Sequence, residues 1–518
     1  MRPLHDSSRR IFLRHASAMS ALAGTAAPFA LNLAALGSAA AQTSGEYRAL
    51  VCLFFYGGND AFNTVLPLDR SNWRAYTATR TQAPDPIALL YPGALPAATA
   101  PAGSPERLGG VLQLQAGNQR STNLGLHPLL GSLQTLFNTE QRLAILPNIG
   151  PLIRPTTKAQ YALASHPKPA RLFSHNDQQS TWQALGPEGT TLGWAGRMGD
   201  ILASQNARPV FTAISATGNA VWLSGNTVKQ YQVNTTGAVP LGVSSTGTLY
   251  GSADVGAALQ RLVALSTSAH PFDADVGAVA RRSIDAEAIL RTALRAPSDP
   301  TFGTAPASGA YSANNDPKLR YDNPLTGATA PNNLAQQFQV VARLIDAGIR
   351  GASGCNRQVF FVSLGGFDTH DFQNRNQADL MARVAHAMKY FDDTLGNLNA
   401  RNQVTTFTAS DFGRTFTSNG DGTDHGWGAH HFVMGGAVRG GQVHGRFPQL
   451  AVKNTNNNNF DGSPDQLGNG SLLPQISVDQ LGNTLGTWLG LSPTQLLDIF
   501  PNLGNFDPST RNLGFMLP

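Results

Sequence analysis

Carboxylates and imidazoles crowd into residues 358–444 of this 518-residue chain. Asp368 and His370 stand two apart in Gly365-Gly366-Phe367-Asp368-Thr369-His370-Asp371. Ser410-Asp411-Phe412-Gly413-Arg414 follows, then a glycine-flanked segment, Gly422-Thr423-Asp424-His425-Gly426-Trp427-Gly428-Ala429-His430-His431. Oxygen and imidazole donors without a ligating cysteine suit Zn²⁺, Mn²⁺, Mg²⁺ or Ca²⁺ better than copper or an iron–sulfur cluster. The i, i+2 spacing puts Asp368 and His370 on one side of an extended strand end, within reach of one ion or two adjacent ions. Asp424 and His425 lie where glycines let backbone fold closely around a metal. Asp60, in Gly57-Gly58-Asn59-Asp60, is a further candidate ligand; its plain alternative is an Asx-turn or a helix N-cap. Such clusters also occur as structural hydrogen-bond networks.

Two other residues have chemical potential. Ser174, in Phe173-Ser174-His175-Asn176-Asp177, opens an expected helix, so it is either an N-cap or a nucleophile aimed at a phosphate or sulfate. Arg414 suits bidentate contact with the oxygens of such an anion, or else a salt bridge that ties its loop. His127 and His386 read as packing or helix-face residues.

These residues need strands to carry them. Apolar runs at 48–56, 143–150, 359–364 and 404–409 are rich in β-branched and aromatic residues and end in Gly or acidic residues. They read as buried parallel strands, and ligands in open α/β sheets bind at the carboxyl ends. Amphipathic helices are expected at 334–348, 377–395 and 478–489, with a further one at 275–294. The fold class is α/β, with a central, mostly parallel sheet. Residues 205–330 are rich in Ser, Thr, Gly and Ala and read as an insertion that shapes access to the site. Residues 78–122 and 454–460 read as surface excursions.

Charged residues are only 13% of the chain, while Gly (53) and Pro (32) are abundant, a loop-rich globular composition. Arg9-Arg10, a mildly apolar segment and Ala39-Ala40-Ala41 form a twin-arginine export signal over residues 1–41. The expected location is therefore the periplasm or the exterior, with the twin-arginine translocase as partner during export. Removing Arg2, Arg9, Arg10, Arg14 and Asp6 with the signal lowers the net charge from +5 to +2. No basic stripe remains for nucleic acid, and no later run has transmembrane length. Cys52 and Cys355 form either a disulfide or two buried thiols.

Together, Gly57-Gly58-Asn59-Asp60, Gly365-Gly366-Phe367-Asp368-Thr369-His370, Asp411-Phe412-Gly413-Arg414-Thr415 and Gly422-Thr423-Asp424-His425-Gly426-Trp427-Gly428 resemble the bacterial domain-of-unknown-function 1501 family. The resemblance implies a place in the alkaline phosphatase and sulfatase superfamily, whose three-layer α/β sandwich holds one or two divalent ions. By that resemblance Asp60 matches the first ligand aspartate, and Asp368 and His370 match an aspartate–histidine segment. Asp411 matches the aspartate of an Asp-His pair, with Phe412 in place of its histidine, and His425 matches the final histidine. No Cys-x-Pro-x-Arg sulfatase signature occurs. The implied function is a metal-dependent hydrolase of small phosphate or sulfate esters. The alternative is a non-catalytic envelope protein, for binding or assembly, that keeps the fold. No Gly-x-Gly-x-x-Gly or haem motif supports an oxidoreductase.

Overall fold

The run Arg48–Tyr56 (β1) has no polar face. Ala49, Val51, Leu53 and Phe55 enter one hydrophobic cluster, while Leu50, Cys52 and Phe54 enter another on the opposite side. Such a strand must be covered on both faces. In the computed structural model, which describes residues 46–118, 123–238, 247–264, 271–457 and 459–517, it lies in the middle of a nine-stranded sheet. The expected export signal at 1–41 lies outside the described residues.

The other strands, in chain order, are β2 (Leu143–Gly150), β3 (Ala213–Ser215), β4 (Tyr231–Asn234), β5 (Gly237–Ala238), β6 (Arg357–Gly365) and β7 (Val404–Ser410). A separate hairpin follows, β8 (Arg414–Ser418) with β9 (Thr423–His425), and then β10 (Ala429–Met434) and β11 (Ile476–Ser477). The sheet order is β11-β2-β10-β7-β1-β6-β3-β4-β5. β1 pairs in parallel with both β6 and β7. The sheet is mixed, because β10 runs antiparallel to both β7 and β2, and β5 runs antiparallel to β4.

Seven helices matter for positioning: α1 (Arg70–Arg80), α2 (Gly131–Asn138), α3 (His175–Ala184), α4 (Trp194–Leu202), α5 (Asn333–Ile349), α6 (Gln373–Asn397) and α7 (Val478–Leu489). On α5 the apolar stripe Leu334, Phe338, Val341 and Ile345 recurs at helical spacing, as does Met381, Val384, Met388, Phe391 and Leu395 on α6. With α2 they cover one face of the sheet, and Phe338 stacks on Phe391 at 4.5 Å. Trp182 of α3, Trp194 and Met198 of α4, and Leu481 and Leu485 of α7 cover the other. A Ser477–Gln480 capping box starts α7. The expected α/β class is therefore found, with helices on both faces of a large mixed sheet.

The region 205–330 supplies β3, β4 and β5 at one sheet edge, together with a helix at Pro271–Ala293. Cys52 and Cys355 are both buried free thiols, one in each hydrophobic cluster. Among the described residues no helix is long and apolar enough to cross a membrane.

The turn after β1 explains its two glycines. Gly57 has φ +114°, and a Cβ there would stand 2.3 Å from the Asp368 amide nitrogen. Gly58 has φ +86°, and its Cβ would meet the Phe412 ring at 2.5 Å. The pair lets the ends of β1, β6 and β7 close on one another. Gly57→Ala is expected to cost about 2–4 kcal/mol, from the unfavourable φ and the backbone overlap together. A urea midpoint unchanged from the parent protein would refute this reading of the turn.

Candidate metal centre

Four segments meet beyond the carboxyl ends of β1, β6 and β7. Asp368 follows β6 in a tight turn, in which the Thr369 amide donates to Phe367 O (2.8 Å) and the His370 amide to Asp368 O (3.1 Å). Asp411 directly follows β7, His425 ends β9, and His175 is the first residue of α3. The β8–β9 hairpin pairs Arg414 with His425 and docks on the Asp368 turn, where the Thr423 amide donates to Thr369 O at 3.0 Å.

Asp368 is the hub. Its Oδ1 lies 2.6 Å from Arg414 Nη1, 3.1 Å from His370 Nε2 and 3.4 Å from His425 Nε2. Its Oδ2 lies 3.4 Å from His175 Nε2. Burial by itself raises the Asp368 carboxyl pKa, but the hydrogen bond and charge of Arg414, with His175 and His370, outweigh it and hold the group below its ordinary range.

Two histidines are locked with Nε2 turned inward. His175 Nδ1 donates to Asp411 Oδ2 at 2.7 Å, and a carboxylate only accepts, so the Nε2 of the neutral ring bears the lone pair. His425 Nδ1 donates in the same way to the Phe173 carbonyl at 2.7 Å. A carboxylate or carbonyl behind the ring is the usual second partner of a metal-bound histidine. His175 Nε2 is buried and has no hydrogen-bond partner. The bond to Asp411 raises the His175 pKa against the pull of burial. Burial lowers that of His425, helped by His175 and Arg414.

Donor atoms of His175, Asp368 and His425 all lie within 4.8 Å of one another, the one such group among the described residues. Bonds of about 2.0–2.1 Å to a tetrahedral ion require donor–donor edges of about 3.3–3.4 Å. The separations of 3.4 Å from His175 Nε2 to Asp368 Oδ2 and from His425 Nε2 to Asp368 Oδ1 are of that length, each on a different carboxylate oxygen. His370 Nε2 approaches His425 Nε2 at 3.0 Å. Because the inward nitrogen of His425 is a lone pair, this contact needs either a proton on His370 Nε2 or a cation between the rings. These residues fit a divalent ion.

The other expected site residues fall around this core. Asp411 is fully buried; its Oδ2 also accepts from Gln179 Nε2 (2.9 Å) and the Gly57 amide (3.1 Å), and its Oδ1 has no partner. It orients His175. Asp424 lies on the rim, with Oδ1 3.4 Å from His370 Nδ1 and in reach of Asn419. Arg414 is buried and commits its guanidinium to Asp368, Gly57 O and Thr423, so it positions Asp368. Ser174 stands at the N-cap position of α3 without capping; its hydroxyl donates to Asp177 at 2.8 Å.

Asp60 is not brought to the histidines. It caps the short turn Ala61–Asn63 through the Phe62 amide and forms a buried bidentate pair with Arg80 at 2.6 and 3.0 Å. Gln373 also donates to Asp60 and in turn accepts from Thr423 Oγ1, so Asp60 connects to the site through polar neighbours and not by direct contact with the histidines. Phe412 packs its ring on both His175 (4.8 Å) and His425 (4.7 Å), an apolar floor.

His430 and His431 are inside β10, fully buried, and so is His127. His430 Nδ1 accepts from the Asn148 amide, and His127 Nδ1 from the Leu129 amide. Burial pushes all three down to about 3. His386 lies against Asn332, 3.1 Å from its amide nitrogen.

His175 is the one central residue that the sequence does not single out. Its only signal is membership of a polar cluster at the start of a helix, where Ser174 draws the attention.

Fold and site together define an α/β protein with a histidine–carboxylate centre at the carboxyl ends of its middle strands. Residues 290–467 match the family described as "Protein of unknown function (DUF1501)", which supports the resemblance drawn from the motifs. The matched stretch holds Asp368, His370, Asp411, Arg414, Asp424 and His425, and leaves out Asp60 and His175. No curated protein matches the chain.

Proposed function

We propose that this protein is a metal-dependent hydrolase of small phosphate or sulfate esters, alkaline phosphatase-like in fold and exported by the twin-arginine translocase to the periplasm or beyond. The observation that carries the reading is the convergence of His175, Asp368 and His425, each imidazole pinned at Nδ1 with Nε2 turned toward the carboxylate. A divalent ion bound there supplies positive charge to ester oxygens as charge develops on them. Asp411 fixes the tautomer of His175, and the Phe173 carbonyl does the same for His425. Arg414 holds Asp368 in place from behind. His370, part-exposed with Asp424 at its Nδ1, is placed to move a proton at the mouth of the site. Phe412 keeps water from the inner side of both rings.

Purified protein is to be assayed on aryl phosphate, phosphodiester and sulfate ester with Mn²⁺, Zn²⁺ or Ca²⁺. Turnover of one class that disappears in Asp411→Ala is the expected result. Silence across all three classes with metal bound rejects the hydrolase. One observation favours a non-catalytic binding protein instead: the Ser174 hydroxyl is bonded to Asp177 and Arg414 is buried, so neither is free to meet an ester.

A further inference from the structure

We propose that the centre holds a single ion of the borderline first-row class, such as Zn²⁺, Mn²⁺ or Co²⁺, and that Arg80 takes the place of a second ion at Asp60. The inference rests on the metal-dependent reading above and names its ion class and number.

The donor set decides the class. Two imidazole nitrogens, from His175 and His425, and one carboxylate, Asp368, lie within 4.8 Å of one another, and His370 Nε2 stands 3.0 Å from that of His425. Ca²⁺ seeks six to eight oxygens and Mg²⁺ a near-octahedral oxygen shell, whereas imidazole suits the later first-row ions. The carboxylates that would make the site oxygen-rich are occupied elsewhere. Asp60 spends both oxygens on Arg80, and also receives the Phe62 amide and Gln373. Asp411 Oδ2 already accepts three hydrogen bonds, which leaves only its Oδ1 without a partner. Asp424 stays on the rim.

The number follows from charge. Arg80 is buried between the rings of Phe62 (5.0 Å), Phe416 (5.8 Å) and Tyr76 (5.9 Å), and donates to the Thr415 and Phe416 carbonyls. It is a fixed buried cation on Asp60. Arg414 is a second, on Asp368. A further dication between two buried guanidinium groups, with Asp60 already neutralised, would meet repulsion that the unpartnered Asp411 Oδ1 alone would have to offset.

The whole protein, stripped with chelator and dialysed against one ion at a time, is to be measured by elemental mass spectrometry and, for Co²⁺, by visible absorption. One equivalent of Zn²⁺, Mn²⁺ or Co²⁺ is expected, with less than a tenth of an equivalent of Mg²⁺ or Ca²⁺. The Co²⁺ bands are expected to vanish in His175→Ala. Asp411→Asn is expected to retain one equivalent at an affinity lower by about 10–100-fold. Two equivalents, or a preference for Ca²⁺ or Mg²⁺, overturn this inference even where ester hydrolysis is observed. No bound ion of any kind overturns it and the metal-dependent reading together.

Discussion

Taking the protein from pH 7 to pH 5 is expected to remove about 4–5 kcal/mol of folding stability. His127, His430 and His431 are buried and neutral, with pKa values pushed down to about 3. In the unfolded chain each returns to about 6.5. Between these values the unfolded state binds more protons, so stability is full above about pH 6.5 and falls as the pH drops. Each histidine contributes about 2 kcal/mol to the loss by pH 5. Asp479 works in the opposite sense: burial raises its carboxyl to about 6, above its unfolded value. It gains a proton in the folded state first, and returns about 1 kcal/mol over the same range. The histidines win. Urea midpoints at the two pH values measure the difference, and His431→Gln should shrink it by about 2 kcal/mol. Equal midpoints at pH 7 and pH 5 would falsify the buried neutral assignment.

Asp368→Asn is expected to lose metal binding by at least about 100-fold, because one side chain faces all three imidazoles. The change also leaves the buried Arg414 guanidinium without its carboxylate. Asp368 is 44% exposed, so water compensates in part, and the stability cost is about 1–2 kcal/mol. His425→Ala removes a ligand without touching that ion pair. Metal content in both variants, read beside their urea midpoints, separates lost ligation from lost structure. Full occupancy in His425→Ala would remove this residue from the centre.

Much of this was legible in the sequence because buried strands announce themselves. β1, β2, β6 and β7 are runs rich in β-branched, aliphatic and aromatic residues that end in turn residues, and the structure finds each within two residues of its expected bounds. β3 overlaps a short strand-like piece at 210–214, but β4 and β5 were not legible: β4 is four residues long and β5 two, and they take their strand state from β3 and from each other. β10 starts at Ala429, earlier than its apolar core suggests, because His430 and His431 read as chemistry when they are buried wall. In the site, Asp368 and His370 come together through a turn rather than an extended strand end. The Asp60–Arg80 pair joins residues twenty apart across a buried contact, and no local pattern marks it. His175 arrives by the packing of α3 on the sheet, a tertiary fact that local sequence does not encode.

The central place of β1 has a consequence for how the chain is made. Arg48 pairs with Arg357, and Ala49 with Val404, so β1 sits between two strands that are synthesised long after it. At about 5–20 residues per second, roughly 15–60 seconds separate the synthesis of β1 from that of its first neighbour. Throughout that interval the apolar ladder of Val51, Leu53 and Phe55 has no native strand to bond. The Asp368 turn after β6 inherits the same delay, since Gly57 must already lie against Asp368 for it to form. Assembly of the centre is thus a late event, fixed by topology and not by the affinity of any ion.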